Sequence, residues 1–250
     1  MYFKKYYFAP SWRFTFGAIF LCLLFIRLGF WQLHRASENE QFQTNFNARL
    51  HAKPIALTDL LKRLPLSASK AQSMLMNYYP IEIVGHYDNA HTILLDNKIH
   101  EHQVGYEVIT PFFPDQTNTL LLINRGWIPA NANNRQILPN IPPIDGRQTI
   151  IGNLYITPGN PFVFDNTLEN SKNWPIRVQA LDFKQVEKIL NTPVYPFIVW
   201  LSPNANDGFI RDWQPISISP EKNRGYALQW FSFAFVLTII FFALNIKRRL

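Results

Sequence analysis

Residues 14–33 read FTFGAIFLCLLFIRLGFWQL, an apolar run of 20 residues with one charge inside it, Arg27. A helix rises 1.5 Å per residue, so about 20 residues cross the hydrocarbon core of a bilayer. Trp12 and Trp31 stand near the ends of the run, where amphipathic rings favour the headgroup level. A cleaved secretory leader would also start with basic residues and an apolar stretch. No small-x-small site follows, however, and the run ends in bulky Phe30-Trp31-Gln32-Leu33, so it reads as an uncleaved anchor. A second run extends from Tyr226 to Leu244, has Gln229 as its only strongly polar side chain, and stops at Asn245-Ile246-Lys247-Arg248-Arg249.

The charge distribution agrees with two anchors. The chain has 250 residues, 24 Lys+Arg against 17 Asp+Glu, and a net charge of +7. Lys4, Lys5, Arg13, Arg27, Lys247, Arg248 and Arg249 account for the whole excess, which leaves the stretch between the anchors neutral. A nucleic-acid-binding domain would be basic in its middle, so nucleic acid is not an expected partner; the lipid bilayer is. Positive residues at both terminal flanks place both termini in the cytoplasm. The expected organisation is a cytoplasmic N-terminus at 1–13, transmembrane helices at 14–33 and 225–244, an extracytoplasmic domain at 34–224, and a cytoplasmic C-terminus at 245–250. Cys22 is the single cysteine and lies in the first run, which rules out an intrachain disulfide and any paired-thiolate metal or redox motif.

Between the anchors, Phe42, Phe46 and Leu50 recur at helical spacing, so residues 37–50 continue the first helix until Pro54 ends it. Thr58 is positioned to cap a short helix over residues 59–63, closed by Pro65. Strands are expected at 79–87, 92–96, 106–113, 120–128, 148–156 and 195–201, runs rich in Ile, Val, Leu and aromatics and bounded by Gly, Pro, Asn or Asp. Asp182, followed by Phe183, Val186, Ile189 and Leu190, opens one amphipathic helix. Two transmembrane helices flanking a β-rich, barrel- or sandwich-like α+β domain are the expected fold.

Several short motifs, in order and at similar spacing, resemble the surfeit locus protein 1 family. These are Arg27-Leu28-Gly29-Phe30-Trp31-Gln32-Leu33-His34-Arg35, Gly85-His86-Tyr87-Asp88-Asn89 with Leu94-Leu95, and Gly105-Tyr106-Glu107-Val108-Ile109-Thr110-Pro111-Phe112. The most specific is Ile123-Asn124-Arg125-Gly126-Trp127-Ile128-Pro129, and Gly225-Tyr226-Ala227-Leu228-Gln229-Trp230-Phe231 opens the second anchor. The resemblance implies an assembly factor for a haem–copper terminal oxidase, cytochrome c oxidase or a quinol oxidase. In bacterial members it implies help in supplying haem a, held transiently, to the large subunit. The implied partners are that subunit and other oxidase assembly factors. The N-terminus, without an Arg/Ser-rich transit segment, favours a bacterial inner membrane over a mitochondrial one.

The resemblance also gives site candidates. Arg27 lies six residues before Leu33, roughly 9 Å deep, and either pairs with a haem propionate or snorkels to lipid phosphates. Haem iron takes an axial ligand, usually His; members of the family often carry one three residues before the second-anchor Tyr, where this chain has Asn223. His34, at the outer end of the first anchor, is at a depth to substitute, or is plain polar surface. Tyr226, Gln229, Trp230 and Phe233 share a helical face that could line a porphyrin or pack on the first anchor. Arg125, Trp127 and Trp174 are candidate partner contacts, set against structural roles in a strand end and an ordered turn. Gly126 allows a bulge or a close approach. His86, Asp88 and His91, like His100-Glu101-His102, match no specific metal spacing and suit solvated turns. No Gly-x-Ser-x-Gly elbow, His-Glu-x-x-His motif or paired carboxylates with a base are present, so an enzyme is not expected; Asp88 and Asp96 read as turn residues. A cofactor-free scaffold that stabilises an assembly intermediate is the competing function.

Overall fold

The computed structural model describes residues 6–50, 52–64, 76–156, 174–213 and 219–248. In chain order the elements are β1 (Tyr6–Phe8), α1 (Trp12–Leu50), β2 (Ile55–Ala56), α2 (Leu57–Arg63), β3 (Pro80–Tyr87), β4 (Ile93–His100), β5 (Gln103–Pro114), β6 (Leu120–Pro129), β7 (Gln148–Tyr155), β8 (Ile176–Val178), α3 (Phe183–Leu190), β9 (Val194–Leu201), α4 (Pro220–Asn245) and β10 (Ile246–Arg248). They form two compact units, Met1–Phe46 with Gln214–Leu250, and Asn47–Trp213.

The first unit is an antiparallel helical hairpin. Helix α1 runs for 39 residues without interruption, since no proline follows Trp12 until Pro54. Helix α4 begins six residues before the apolar run it carries. The Ser219 hydroxyl accepts from the Lys222 N–H, Pro220 occupies the first turn, and Glu221 faces the positive helix end. Both helices are long and apolar enough to cross a membrane. Contacts along the pair run in opposite chain directions. The Glu40 carboxylate meets Arg224 at 2.5 Å, the Phe30 and Phe231 rings lie 5.4 Å apart, and Phe25 stacks on Trp230 at 5.8 Å. Farther along, Cys22 Sγ lies 3.8 Å from Thr238 Oγ1, and the β1–β10 ribbon joins the chain-terminal ends, with Phe8 against Phe241 and Phe242.

The second unit is a five-stranded barrel. Strands β3, β7, β9, β6 and β5 pair in that cyclic order, and β3 closes the ring on β5 through Gly85–Pro114, His86–Phe113 and Tyr87–Phe112. Closure removes the exposed edges that an open sheet would offer. The 12 residues of β5 allow it to serve three neighbours, β4, β6 and β3. Strand β8 extends the sheet beside β4, and β2 adds to β3, both parallel. Inward side chains of β3, β6, β7 and β9, among them Ile81, Ile83, Leu121, Ile123, Leu154 and Val199, fill the barrel with Leu57, Leu60 and Leu64 of the α2 segment. On the other face of β4 and β5, Leu94, Tyr106 and Val108 build a second apolar cluster with Ile128, Leu138 and Phe209. Strand β6 is therefore buried from Leu120 to Trp127 without alternation.

All six expected strands are present, with ends shifted by a few residues, and the expected β-rich fold between two terminal apolar helices is observed as a barrel. The amphipathic helix expected after Asp182 is present as α3, and Asp182 caps it, accepting from the Lys184 and Gln185 N–H groups. The expected Thr58 cap is not observed. Helix α2 starts two residues earlier, with Ala56 at the cap position and no side-chain bond, because the two-residue β2 strand leads directly into it. Pro65 lies outside the described residues. The short strands β1, β2, β8 and β10 were not expected; each has two or three residues, too few for an alternating pattern to register.

Two variants test these arrangements. Gly126 has φ +117°, and a Cβ there would lie 2.7 Å from the Ile210 carbonyl oxygen. Gly126→Val is expected to destabilise the barrel by ~3 kcal/mol, read as a lower urea midpoint in tryptophan fluorescence. Thr238→Cys is expected to form a disulfide with Cys22 on mild oxidation in membranes; a persistently free thiol pair would count against the helix register described.

Candidate functional site

Most buried and half-buried positions of α1 between Thr15 and Asn39 recur every seven residues. One column is Thr15, Cys22, Gly29 and Ala36, and the other is Ala18, Phe25, Gln32 and Asn39. Helix α4 repeats the pattern with Pro220, Ala227, Ala234 and Phe241, and with Asn223, Trp230 and Leu237. This 3.5-residue period is the seam of a left-handed helix pair. Small residues let membrane helices approach closely; a Cβ on Gly29 would meet the Phe231 ring at 2.6 Å.

This geometry separates the hairpin candidates. Trp230 lies in the seam, on Phe25. Phe233 also packs on Phe25, at 5.9 Å. Tyr226 and Gln229 are exposed on α4. Arg27 and His34 are two and five residues beyond Phe25 and Gly29, respectively, one repeat apart, on the side of α1 turned away from the seam, and both are exposed. His34 pairs with Glu38 at 3.4 Å. Arg27 and His34 thus share one face, while Trp230 looks toward the opposite face of the same helix.

The residues present do not fit an enclosed haem site in this hairpin. Asn223 is 3 % exposed, and its Nδ2 has no hydrogen-bond partner. An amide nitrogen has no lone pair to offer iron, so Asn223 does not replace the imidazole. His34 is the single histidine in α1 or α4, and it lies outside the seam. The seam itself is closed by ring-on-glycine contact. The Gln32 Oε1 in the same seam is also buried without a partner, a second polar group that sequence reading did not single out.

In the barrel, Asn124 to Trp127 form a set of internal braces. Opposite Val108 of β5, β6 carries an extra residue, a bulge made possible by the positive φ of Gly126. The bulge turns Arg125 inward, 3 % exposed, with its guanidinium 5.6 Å from the Tyr87 ring centre and 5.2 Å from that of Phe209. Arg125 Nη2 donates to the Pro142 carbonyl, and the Arg125 carbonyl accepts from the Phe209 N–H at 2.8 Å. Asn124 donates to Glu107 at 2.8 Å and accepts from the Gly126 N–H at 3.1 Å. Trp127 is 7 % exposed, donates to the Lys98 carbonyl, and fills the space a Gly105 side chain would need. Arg211 clasps the loop that follows β9, donating to the carbonyls of Pro203, Ala205 and Asp207.

Trp174, half-buried beside a cis Trp174–Pro175 peptide, sets its ring edge-on to His91 at 4.8 Å. His91 in turn bonds Asp88 at 2.6 Å. His86 stacks on Phe113 instead, and Asp96 pairs with Arg135 and Arg177. Glu101 and His102 take φ 46° and 66° in the tight turn between β4 and β5. Among the described residues no three His, Cys, Asp or Glu side chains gather to hold a metal ion. A stack of Tyr155, Trp200 and Trp213, with rings 4.1 and 5.0 Å apart and Tyr78 alongside, was not visible in the sequence, where these residues are scattered over strands and loops.

Residues 19–235 match the model of the SURF1 family. The chain is 23% identical over 226 residues to a SURF1-like protein of Rickettsia bellii (strain RML369-C), an alignment covering 88% of this chain and 85% of the relative. It is 21% identical over 236 residues to surfeit locus protein 1 of Mus musculus, covering 88% and 72%. The matched stretch contains the Gly29 contact, the Arg125 braces and the start of α4.

The brace around Tyr87 makes a pH prediction. Burial, against the opposing pull of the Arg125 charge, pushes the Tyr87 hydroxyl up to about 12. The unfolded phenol ionises near pH 10 while the folded one keeps its proton, so stability falls between pH 10 and about 12, by about 2–3 kcal/mol for this group. Because the hydroxyl has no hydrogen-bond partner, Tyr87→Phe should stay within ~1 kcal/mol of wild type at neutral pH and lose less stability in that alkaline window, measured by urea unfolding across pH.

Proposed function

The chain belongs to the SURF1 family, and we propose that it is a membrane-anchored assembly factor for a haem–copper oxidase that assists haem a delivery or insertion into the large subunit. The family match over residues 19–235 carries this reading. Helices α1 and α4 span a bacterial inner membrane, both termini are cytoplasmic, and the barrel domain is periplasmic. The positive flanks Arg13, Lys247 and Arg248 support that orientation. Other assembly factors and the large subunit are its partners, and any contact with haem a is transient.

A second reading, a cofactor-free scaffold holding an assembly intermediate, is favoured by one observation. The helix seam is closed, and Asn223 stands where a ligand would be needed. In this reading the barrel and the hairpin stabilise the client subunit while haem a arrives from elsewhere.

An absorption spectrum separates the two. The protein is purified from membranes of cells that also make haem a. A near-stoichiometric haem a band, lowered by His34→Ala, supports delivery through this chain. A colourless protein that restores oxidase activity to a deletion strain supports the scaffold. Deletion without any loss of oxidase activity would end both.

A further inference from the structure

Arg27 is the one charge in the apolar run of α1, and the seven-residue repeat turns it away from α4. Its neighbours on that face, Phe20, Leu23, Leu24 and Trp31, are exposed and apolar. No acidic residue precedes Glu38 in α1, and none follows Glu221 in α4. Glu38 itself lies 11 residues farther along the helix, roughly 16 Å away. It is already bonded to His34 at 3.4 Å and Arg35 at 3.1 Å. The hairpin therefore supplies no carboxylate at the depth of Arg27.

Charged side chains within membrane segments face a bundle interior and pair with an opposite charge there. The interior of this hairpin is its seam, filled by Cys22, Gly29, Ala36, Ala227 and Ala234, and it has no space for a guanidinium. Arg27 points to an interior that two helices do not complete. A guanidinium is a rigid, weakly hydrated fork that matches a carboxylate bidentately, whereas a cation that only reaches for headgroups could equally be lysine. His34, one repeat farther out, extends the same polar stripe.

We propose that the outer face of α1 around Arg27 docks against a transmembrane helix of the oxidase large subunit that presents an aspartate or glutamate carboxylate at the same depth. The inference rests on the oxidase-assembly reading and names the surface by which the client is held. The Arg27 side chain and that carboxylate form an ion pair in a low-dielectric setting, and the aromatic and aliphatic neighbours pack around it.

The test is co-purification of the large subunit with the tagged full-length protein from membranes in mild detergent. Arg27→Leu and Arg27→Glu are each expected to bring down at least about tenfold less large subunit, and Arg27→Lys an intermediate amount, since an ammonium keeps the charge but loses the bidentate fork. Equal protein in the membrane and an intact Cys22–Thr238→Cys cross-link confirm that each variant still forms the hairpin. Recovery of Arg27→Glu by a single Asp→Lys or Glu→Lys change in a membrane segment of the large subunit would identify the carboxylate. Wild-type co-purification by Arg27→Leu would mean that the guanidinium serves lipid phosphates, and would overturn the proposal while leaving the assembly function standing. Wild-type association that disappears in cells blocked in haem a synthesis would assign the carboxylate to a haem propionate, and would also overturn it. A wild-type protein that brings down no large subunit, together with unaffected oxidase activity in a deletion strain, would remove the assembly reading itself.

Discussion

Close approach of α1 and α4 is the constraint on which the membrane half of this protein depends. Lipid tails are as apolar as leucine, so two helices in a bilayer gain little by hiding apolar surface from it. They gain by packing, and packing needs small residues at the points of contact. The columns Cys22–Gly29–Ala36 and Ala227–Ala234 provide them at seven-residue spacing, and the Phe231 ring occupies the place of a Gly29 side chain. Once that register is set, every other position on each helix has a fixed direction. The Glu40–Arg224 pair falls toward one end and the β1–β10 ribbon at the other. The same register leaves Arg27 and His34 on the outside.

A comparable economy governs the barrel. The motif residues that look most like a site are the ones that let its backbone segments touch. Gly126 admits the loop at Phe209 and Ile210, Gly105 admits the Trp127 ring, and Gly85 sits against the Phe113 carbonyl, where any side chain would collide. Arg125 is held between two aromatic rings and a carbonyl instead of facing solvent. Burial shifts its proton equilibrium downward and that of Tyr87 upward, as expected when charge is moved into a medium that solvates it poorly. These residues fix the shape of the domain, and their chemistry is spent internally.

The hairpin therefore carries the exposed chemistry. Asn223 and Gln32 are buried in the seam with an unpartnered amide nitrogen and oxygen, respectively, while the cation Arg27 is presented outward. A membrane helix pair with its polar groups in that arrangement is suited to holding another helix and poorly suited to enclosing a flat macrocycle. This is why the proposed client contact is placed on the outer face of α1.

Much was legible in the sequence because it depends on local periodicity. Apolar runs of membrane-spanning length, short strands rich in branched and aromatic residues, and the amphipathic helix that opens at Asp182 are patterns within a few turns or pairs of residues, and the structure has all three. The family motifs were legible as well, and the Gly126 bulge followed from a glycine inside a strand. What the sequence did not reveal was which elements close on one another. The β3–β5 pairing that completes the barrel joins residues 25–29 apart in the chain, and the stack of Tyr155, Trp200 and Trp213 needs β7 beside β9, whose paired residues are 43–49 apart. The Thr58 cap was misread for the same reason, since β2 pairs with a distant strand and so fixes where α2 begins. Sequence alone determined the anchors, the strands and the residues worth watching. Tertiary structure decided that Arg125 and Trp127 face inward and Arg27 faces outward, because direction depends on the register between segments, and register is set by contacts far apart in the chain.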